Sequence, residues 1–201
     1  MKKLIFALPI LFLAFTPVES GLTKKEKKAA QTYLEETRDD LAATINGLSE
    51  DQFNFKPADN RWSVKECLQH IANAENGLWQ WCETTIKAAP NPDKRADIKF
   101  TDDQIMKMLT DRSQKFNAPP ELTPDKSPFT TALDAYNGFK AAREKLIKYV
   151  KNTKDDLRNH VTQAPMGAVD AYQIVLFIGA HSNRHTQQIA EVMADPNFPK
   201  H

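Results

Sequence analysis

Proline placement constrains this chain more than any other feature of it. The 201 residues hold 12 prolines, and beyond residue 20 every proline lies between, never within, stretches whose apolar residues recur at three- and four-residue steps. An interior proline removes a main-chain hydrogen bond and clashes with the preceding turn, so stretches bounded by prolines predict helices and their ends. The first predicted helix begins after Thr23, where Glu26 completes a capping-box pattern. It carries Ala30, Tyr33, Leu34, Thr37, Leu41 and Ile45 along one side, and Asn46-Gly47 ends it. A loop with Phe53, Phe55 and Pro57 leads to Trp62 and a second capping pair, Ser63 with Glu66. The helix that follows runs from Val64 to about Ala88, with Leu68, Ile71, Ala72, Glu75, Leu78 and Trp79 on one side, and stops at Pro90-Asn91-Pro92.

A shorter helix is predicted from Asp102 to about Phe116, capped by Thr101 and bounded by Pro119-Pro120. Thr131 to Asn152 forms a third long helix with Leu133, Tyr136, Phe139, Leu146, Ile147 and Val150 as its apolar set. After a loop from Thr153 to Val169, a last long helix capped by Asp170 runs from Ala171 to about Asp195. No run shows sustained period-two alternation, the mark of a half-buried strand. The expected fold is therefore all-α: a four-helix bundle with a long crossover and an additional short helix.

The first twenty residues read as a separate object. Met1-Lys2-Lys3 is a basic start, Leu4 to Phe15 is an apolar run of twelve residues, and Val18-Glu19-Ser20 offers small residues at a cleavage position. Twelve residues rise only about 18 Å as a helix, short of a hydrocarbon core of about 30 Å, so a cleaved signal peptide is expected rather than a permanent membrane span. The expected organisation is a signal peptide at 1–20 and one domain at 21–201, in a protein exported to the periplasm or secreted. The whole chain has 27 basic and 26 acidic residues; without Lys2, Lys3 and Glu19 it has 25 of each. A neutral chain with no basic stripe lacks the electrostatic footprint of a nucleic-acid binder, and none is expected as a partner.

Export makes the two cysteines candidates for a disulfide. Cys67 and Cys82 lie fifteen residues apart in one predicted helix, which sets their Cα atoms about 22 Å apart. A disulfide needs about 7 Å or less, so two partly buried free thiols are expected. Trp79 and Trp81 cannot share a helix face, which leaves one of them for solvent or for a second copy of the chain, and a homodimer is among the expectations.

Three of the five histidines occupy positions that matter. His181 and His185 stand four apart in the last long helix and project from one face, with Ile174, Phe177, Ile178, Gln188, Ile189 and Val192 on the same stripe. His70 lies among Leu68, Ile71 and Ala72, on or near the core side of its helix. Three unpaired imidazoles in an apolar bundle would each carry a desolvation cost, whereas one divalent metal would satisfy them together. By spacing alone, a solvated histidine pair is the competing explanation. Gln188 faces the same way as His181 and His185 and could hydrogen-bond a ligand or water. Glu66 is read as a cap rather than as a partner of His70. His160 and His201, in a loop and at the terminus, are expected to be solvent-exposed.

The stretch from Trp62 to Ala72, reading W-S-V-K-E-C-L-Q-H-I-A, followed late in the chain by His181-Ser182-Asn183-Arg184-His185-Thr186-Gln187-Gln188-Ile189, resembles the signature of the DinB-like superfamily. The resemblance covers about Thr23 to Pro199 and implies a four-helix bundle that binds a divalent transition metal (zinc, nickel or iron) through His70, His181 and His185. The family pattern has an aliphatic residue where this chain has Cys67, so Cys67 is expected to be a small core residue rather than a thiolate ligand. Characterised members include thiol-dependent transferases, which makes a metal-dependent thiol transferase with an unknown small-molecule substrate the leading expectation. A metal-dependent hydrolase working through a water on the metal, and a non-catalytic metal-binding or stress-related bundle, are the alternatives. The catalytic residues beyond the metal ligands are not identified.

If residues 1–20 are an export signal, the intact mass of the protein recovered from the envelope or secreted fraction is that of a chain beginning near Gly21. A full-length species confined to the cytosol overturns this expectation.

Overall fold

The computed structural model describes residues 21–200. The proposed signal segment and His201 lie outside the described residues. Four long helices dominate: α1 (Lys24–Ile45), α3 (Val64–Lys87), α5 (Ala132–Asn152) and α6 (Ala171–Met193). Two shorter ones, α2 (Glu50–Asn54) and α4 (Asp102–Thr110), sit on the connections. The capping pairs read from the sequence are present. Thr23 and Glu26, and Ser63 and Glu66, form reciprocal boxes, and Thr101, Thr131 and Asp170 cap α4, α5 and α6. Each cap satisfies an otherwise orphaned amide at a helix start. Gly47 follows α1 with φ +77, a left-handed turn that suits glycine.

Helix directions follow from the contacts. α3 and α5 run parallel, with Gln69 bonded to the Phe129 carbonyl at one end and Trp79 packed on Tyr149 toward the other. α1 and α6 also run parallel, since the Tyr172 hydroxyl near the start of α6 donates to the Glu26 carbonyl near the start of α1. α3 and α6 are antiparallel: His70 meets His181, while Cys82 lies against the Ala171 carbonyl. Parallel neighbours α3 and α5 require the long crossover, residues 88–131, and α4 rides on it against α6. Among the described residues no helix is long and apolar enough to cross a membrane.

The four long helices meet at one buried ion pair. Arg143 of α5 is fully buried and makes a forked contact with Glu75 of α3, Nε to Oε1 at 2.7 Å and Nη2 to Oε2 at 2.8 Å. Its Nη1 donates to the Thr37 hydroxyl and the Leu34 carbonyl of α1, and its Nη2 donates to the Ser182 hydroxyl and the Ile178 carbonyl of α6. Apolar clusters continue the core above and below this layer, Leu34, Leu146 and Ile174 in one and Leu41, Leu68 and Phe139 in the other. A second junction lies where α1, α4 and α6 begin. Arg158 bonds the carboxylates of Glu26, Asp102 and Asp170, each in the first turn or cap of its helix, and stacks over Tyr172 at 4.1 Å.

Several expectations are corrected. The loop before α6 contains an antiparallel hairpin, β1 (Val161–Ala164) with β2 (Gly167–Asp170), paired from Val161 with Asp170 to Ala164 with Gly167. Its second strand buries Ala168, Val169 and Asp170 in succession, so alternation could not reveal it. α4 stops at Thr110 rather than near Phe116. Past that point Arg184 of α6 takes the carbonyls of Leu109, Asp111 and Gln114, and the Asp111 side chain accepts from Ser113 N. Tertiary hydrogen bonds here replace the helical ones. α2, capped by Ser49 and Gln52, lies in what was read as loop. Leu133, assigned to the apolar set of its helix, is 62% exposed. Trp79 and Trp81 are both half-buried, because α3 lies between α5 and α6: Trp79 packs on Tyr149 and Trp81 on Phe177.

Arg143→Met leaves Glu75 buried without its partner and should lower the unfolding free energy by about 3–5 kcal/mol. Arg143→Lys, which keeps the charge but not the fork, should recover only part of that. Denaturant titration followed by tryptophan fluorescence measures both. A loss within 1 kcal/mol for the methionine variant contradicts the central role given to this pair.

Candidate metal centre

His70, His181 and His185 come together. One ring nitrogen from each lies within 4.8 Å of the others, and this is the cluster of potential metal ligands found among the described residues. The helices explain the convergence. α3 and α6 pack antiparallel, Glu75 lies five residues after His70, and Ile178 and Ser182 flank His181; all three are tied to Arg143. The buried guanidinium thereby sets the register that brings the two ligand-bearing turns face to face.

Hydrogen bonds assign the ring protons. His70 Nδ1 lies 2.8 Å from the Leu122 carbonyl, which can only accept, so Nδ1 carries the proton and Nε2 presents a lone pair. His185 Nδ1 lies 2.9 Å from Gln188 Oε1, with the same result. His70 Nε2 lies 3.1 Å from His181 Nε2, and a ring nitrogen of His185 lies within 4.8 Å of both ligand atoms. Two nitrogens bound to one ion at 2.0–2.1 Å, with angles between octahedral and tetrahedral, stand about 2.9–3.4 Å apart. The His70–His181 pair has this spacing. Trp62 covers the rings from the entry of α3, with centroids 4.9 Å from His70 and 6.1 Å from His185.

Electrostatics favour the neutral, ligating form of all three rings. Burial holds His70 below the ordinary histidine pKa, with the Leu122 bond acting the other way. His181 and His185 lie well below it, first through burial and then through mutual repulsion among the imidazoles. By whole-residue exposure His70 and His185 are buried and His181 is half-buried. Three neutral imidazoles with clustered ring nitrogens and no carboxylate among them fit a borderline divalent transition metal rather than calcium or magnesium.

The remaining candidates fall outside the cluster. Glu66 caps α3 through Ser63 N and pairs with Lys56. Cys67 and Cys82 are free, fully buried thiols, each pushed up in pKa by that burial. His160 departs from its expected exposure: it is half-buried, and its Nδ1 is buried without a hydrogen-bond partner among the described residues. A polar depression of about 420 Å³ beside Glu26, Asp102 and Arg158 lies at the end where α1, α4 and α6 begin, and Arg158 there is already engaged by three carboxylates. What the sequence did not reveal was the Leu122 carbonyl. It is a main-chain atom 52 residues from His70, and no residue type announces it.

A four-helix bundle with a long crossover, carrying one imidazole on its second long helix and two on its last, defines a class of histidine-centred bundle proteins. The chain belongs to the DinB superfamily, whose family profile matches residues 33–189. It is 26% identical over 149 residues to the uncharacterised protein YuaE of Bacillus subtilis (strain 168), covering 74% of this chain and 87% of that protein. Its fold is similar to that of YfiT from Bacillus subtilis, with a TM-score of 0.57, 14% identity, and coverage of 89% of this chain and 91% of the other. YfiT is described as "a probable metal-dependent hydrolase with an unusual four-helix bundle topology".

Purified protein should bind one zinc or nickel ion per chain, read by elemental analysis and titration, and His181→Ala should abolish this. The metal-free chain should lose stability as pH falls below about 6.5, because the unfolded chain takes up protons there that the buried imidazoles refuse. Melting curves in chelator at stepped pH test this, with a shallower dependence expected for His181→Ala.

Proposed function

We propose that this chain is a metal-dependent enzyme that hydrolyses a small-molecule substrate, with His70, His181 and His185 holding one divalent transition metal. The observation that carries this reading is that one ring nitrogen from each of the three imidazoles lies within 4.8 Å of the others, with two of the rings held by Leu122 and Gln188. A divalent cation held by these three residues would supply a Lewis acid and a means of activating water near neutral pH. His70 and His185, buried and neutral, serve as fixed donors. His181, half-buried on α6, supplies the third donor. Trp62 packs beside His70 and His185, adding apolar surroundings that strengthen any charge interaction made there.

The description of YfiT supports hydrolysis over the thiol transfer expected from the family resemblance. Both cysteines of this chain are sealed in the core, so it contributes no thiol of its own, and a transferase reaction would need one delivered as a co-substrate. The apolar segment Leu4 to Phe15 supports a site of action outside the cytoplasm.

Zinc-, nickel- and iron-loaded protein should cleave members of an ester and amide panel. Activity should disappear in chelator and return with metal, and His181→Ala should reduce it to the metal-free level. Turnover only when a low-molecular-weight thiol and an electrophile are supplied together would replace hydrolysis with transfer.

A further inference from the structure

We infer that Gln188 is a positioning residue of the metal centre, fixing the ring orientation and donor strength of His185. The inference rests on the reading of the three histidines as metal ligands and deepens it. Among the described residues, Gln188 is the only side chain outside the triad that hydrogen-bonds a triad imidazole, accepting from His185 Nδ1–H at 2.9 Å. The corresponding acceptor for His70 is the Leu122 main-chain carbonyl. Nδ1–H is thereby engaged on two rings, leaving Nε2 as the ligating atom of each. Without Gln188, His185 could rotate about its terminal torsion or take the other tautomer, either of which withdraws its lone pair from the cluster.

Gln188 lies one turn beyond His185 on α6, in the part of the helix where side chains three apart are neighbours, and it is half-buried. Its alternative assignment is ordinary helix-surface packing. That assignment predicts no special dependence on the chemistry of the acceptor, whereas a positioning role does. A neutral amide is a weak acceptor; a carboxylate in the same place polarises the imidazole and makes it a stronger donor to a metal, while an apolar side chain of similar size offers nothing.

The test uses the mature chain and zinc alone, with affinities read by competition against a chromophoric chelator. Gln188→Leu should weaken zinc binding by about 10–100-fold, and Gln188→Glu should strengthen it relative to the wild type. Metal-free melting temperatures are measured in parallel, and that of Gln188→Glu should stay within a few degrees of the wild type. Opposite shifts from two substitutions of similar size support positioning, since a packing role moves both the same way. If the wild type binds zinc but Gln188→Leu binds within twofold of it, or if Gln188→Glu weakens binding as Gln188→Leu does, the assignment of Gln188 is overturned and the metal centre stands. If the wild type binds no zinc, nickel or iron, the metal reading fails and the inference with it.

Discussion

Arg143 is the point on which the rest of the molecule depends. A fully buried guanidinium is costly to desolvate, and it is tolerated because its fork meets the Glu75 carboxylate while its remaining donors reach hydroxyls and carbonyls of two further helices. Apolar packing alone tolerates sliding, since a helix can shift along a greasy groove with little change in buried area. Hydrogen bonds of fixed direction to α1, α3 and α6 do not. The pair therefore contributes definition of the register more than net stabilisation. This register decides whether an imidazole from α3 and two from α6 arrive at one point or pass each other.

The histidine cluster is the second consequence of that register. Its three rings belong to helices, which hold their positions along the axis, but a histidine ring still has rotational freedom that the backbone does not remove. That freedom is taken up by neighbours of different kinds: the Leu122 carbonyl for His70, the Gln188 amide for His185, and the face of Trp62 against both. All are uncharged. None of the three adds a negative charge to the cluster, whose rings feel Arg112, Arg143 and Arg184 from outside it.

Much of this was legible in the residues. Prolines and capping pairs marked the long helices to within a few positions, because helix ends are local chemistry: Thr23 with Glu26 and Ser63 with Glu66 need no distant partner. The histidines were legible because His181 and His185 share a helix face and His70 sits in an apolar stretch. The features that escaped were set by distant contacts. α4 ends early because Arg184, more than 70 residues away, claims its last carbonyls. The hairpin before α6 buries consecutive residues of β2 and so shows no alternation. Arg143 gave no sign of burial, since a basic residue within a charged helix is ordinarily a surface group, and Glu75 was read only as one position on an apolar stripe. The partner that would have revealed their link is in another helix.

The Leu122 carbonyl has an implication for how this protein could diverge. Because the acceptor for His70 belongs to the peptide backbone, every residue type at position 122 supplies it. Side chains along the connection between α4 and α5 can thus be exchanged, and with them the lining of any approach to the cluster, without disturbing the tautomer of His70. A change in the length of that connection has the opposite effect, since it moves the carbonyl itself. The tautomer of His70 thus depends on where the chain at position 122 lies rather than on which side chain it carries there.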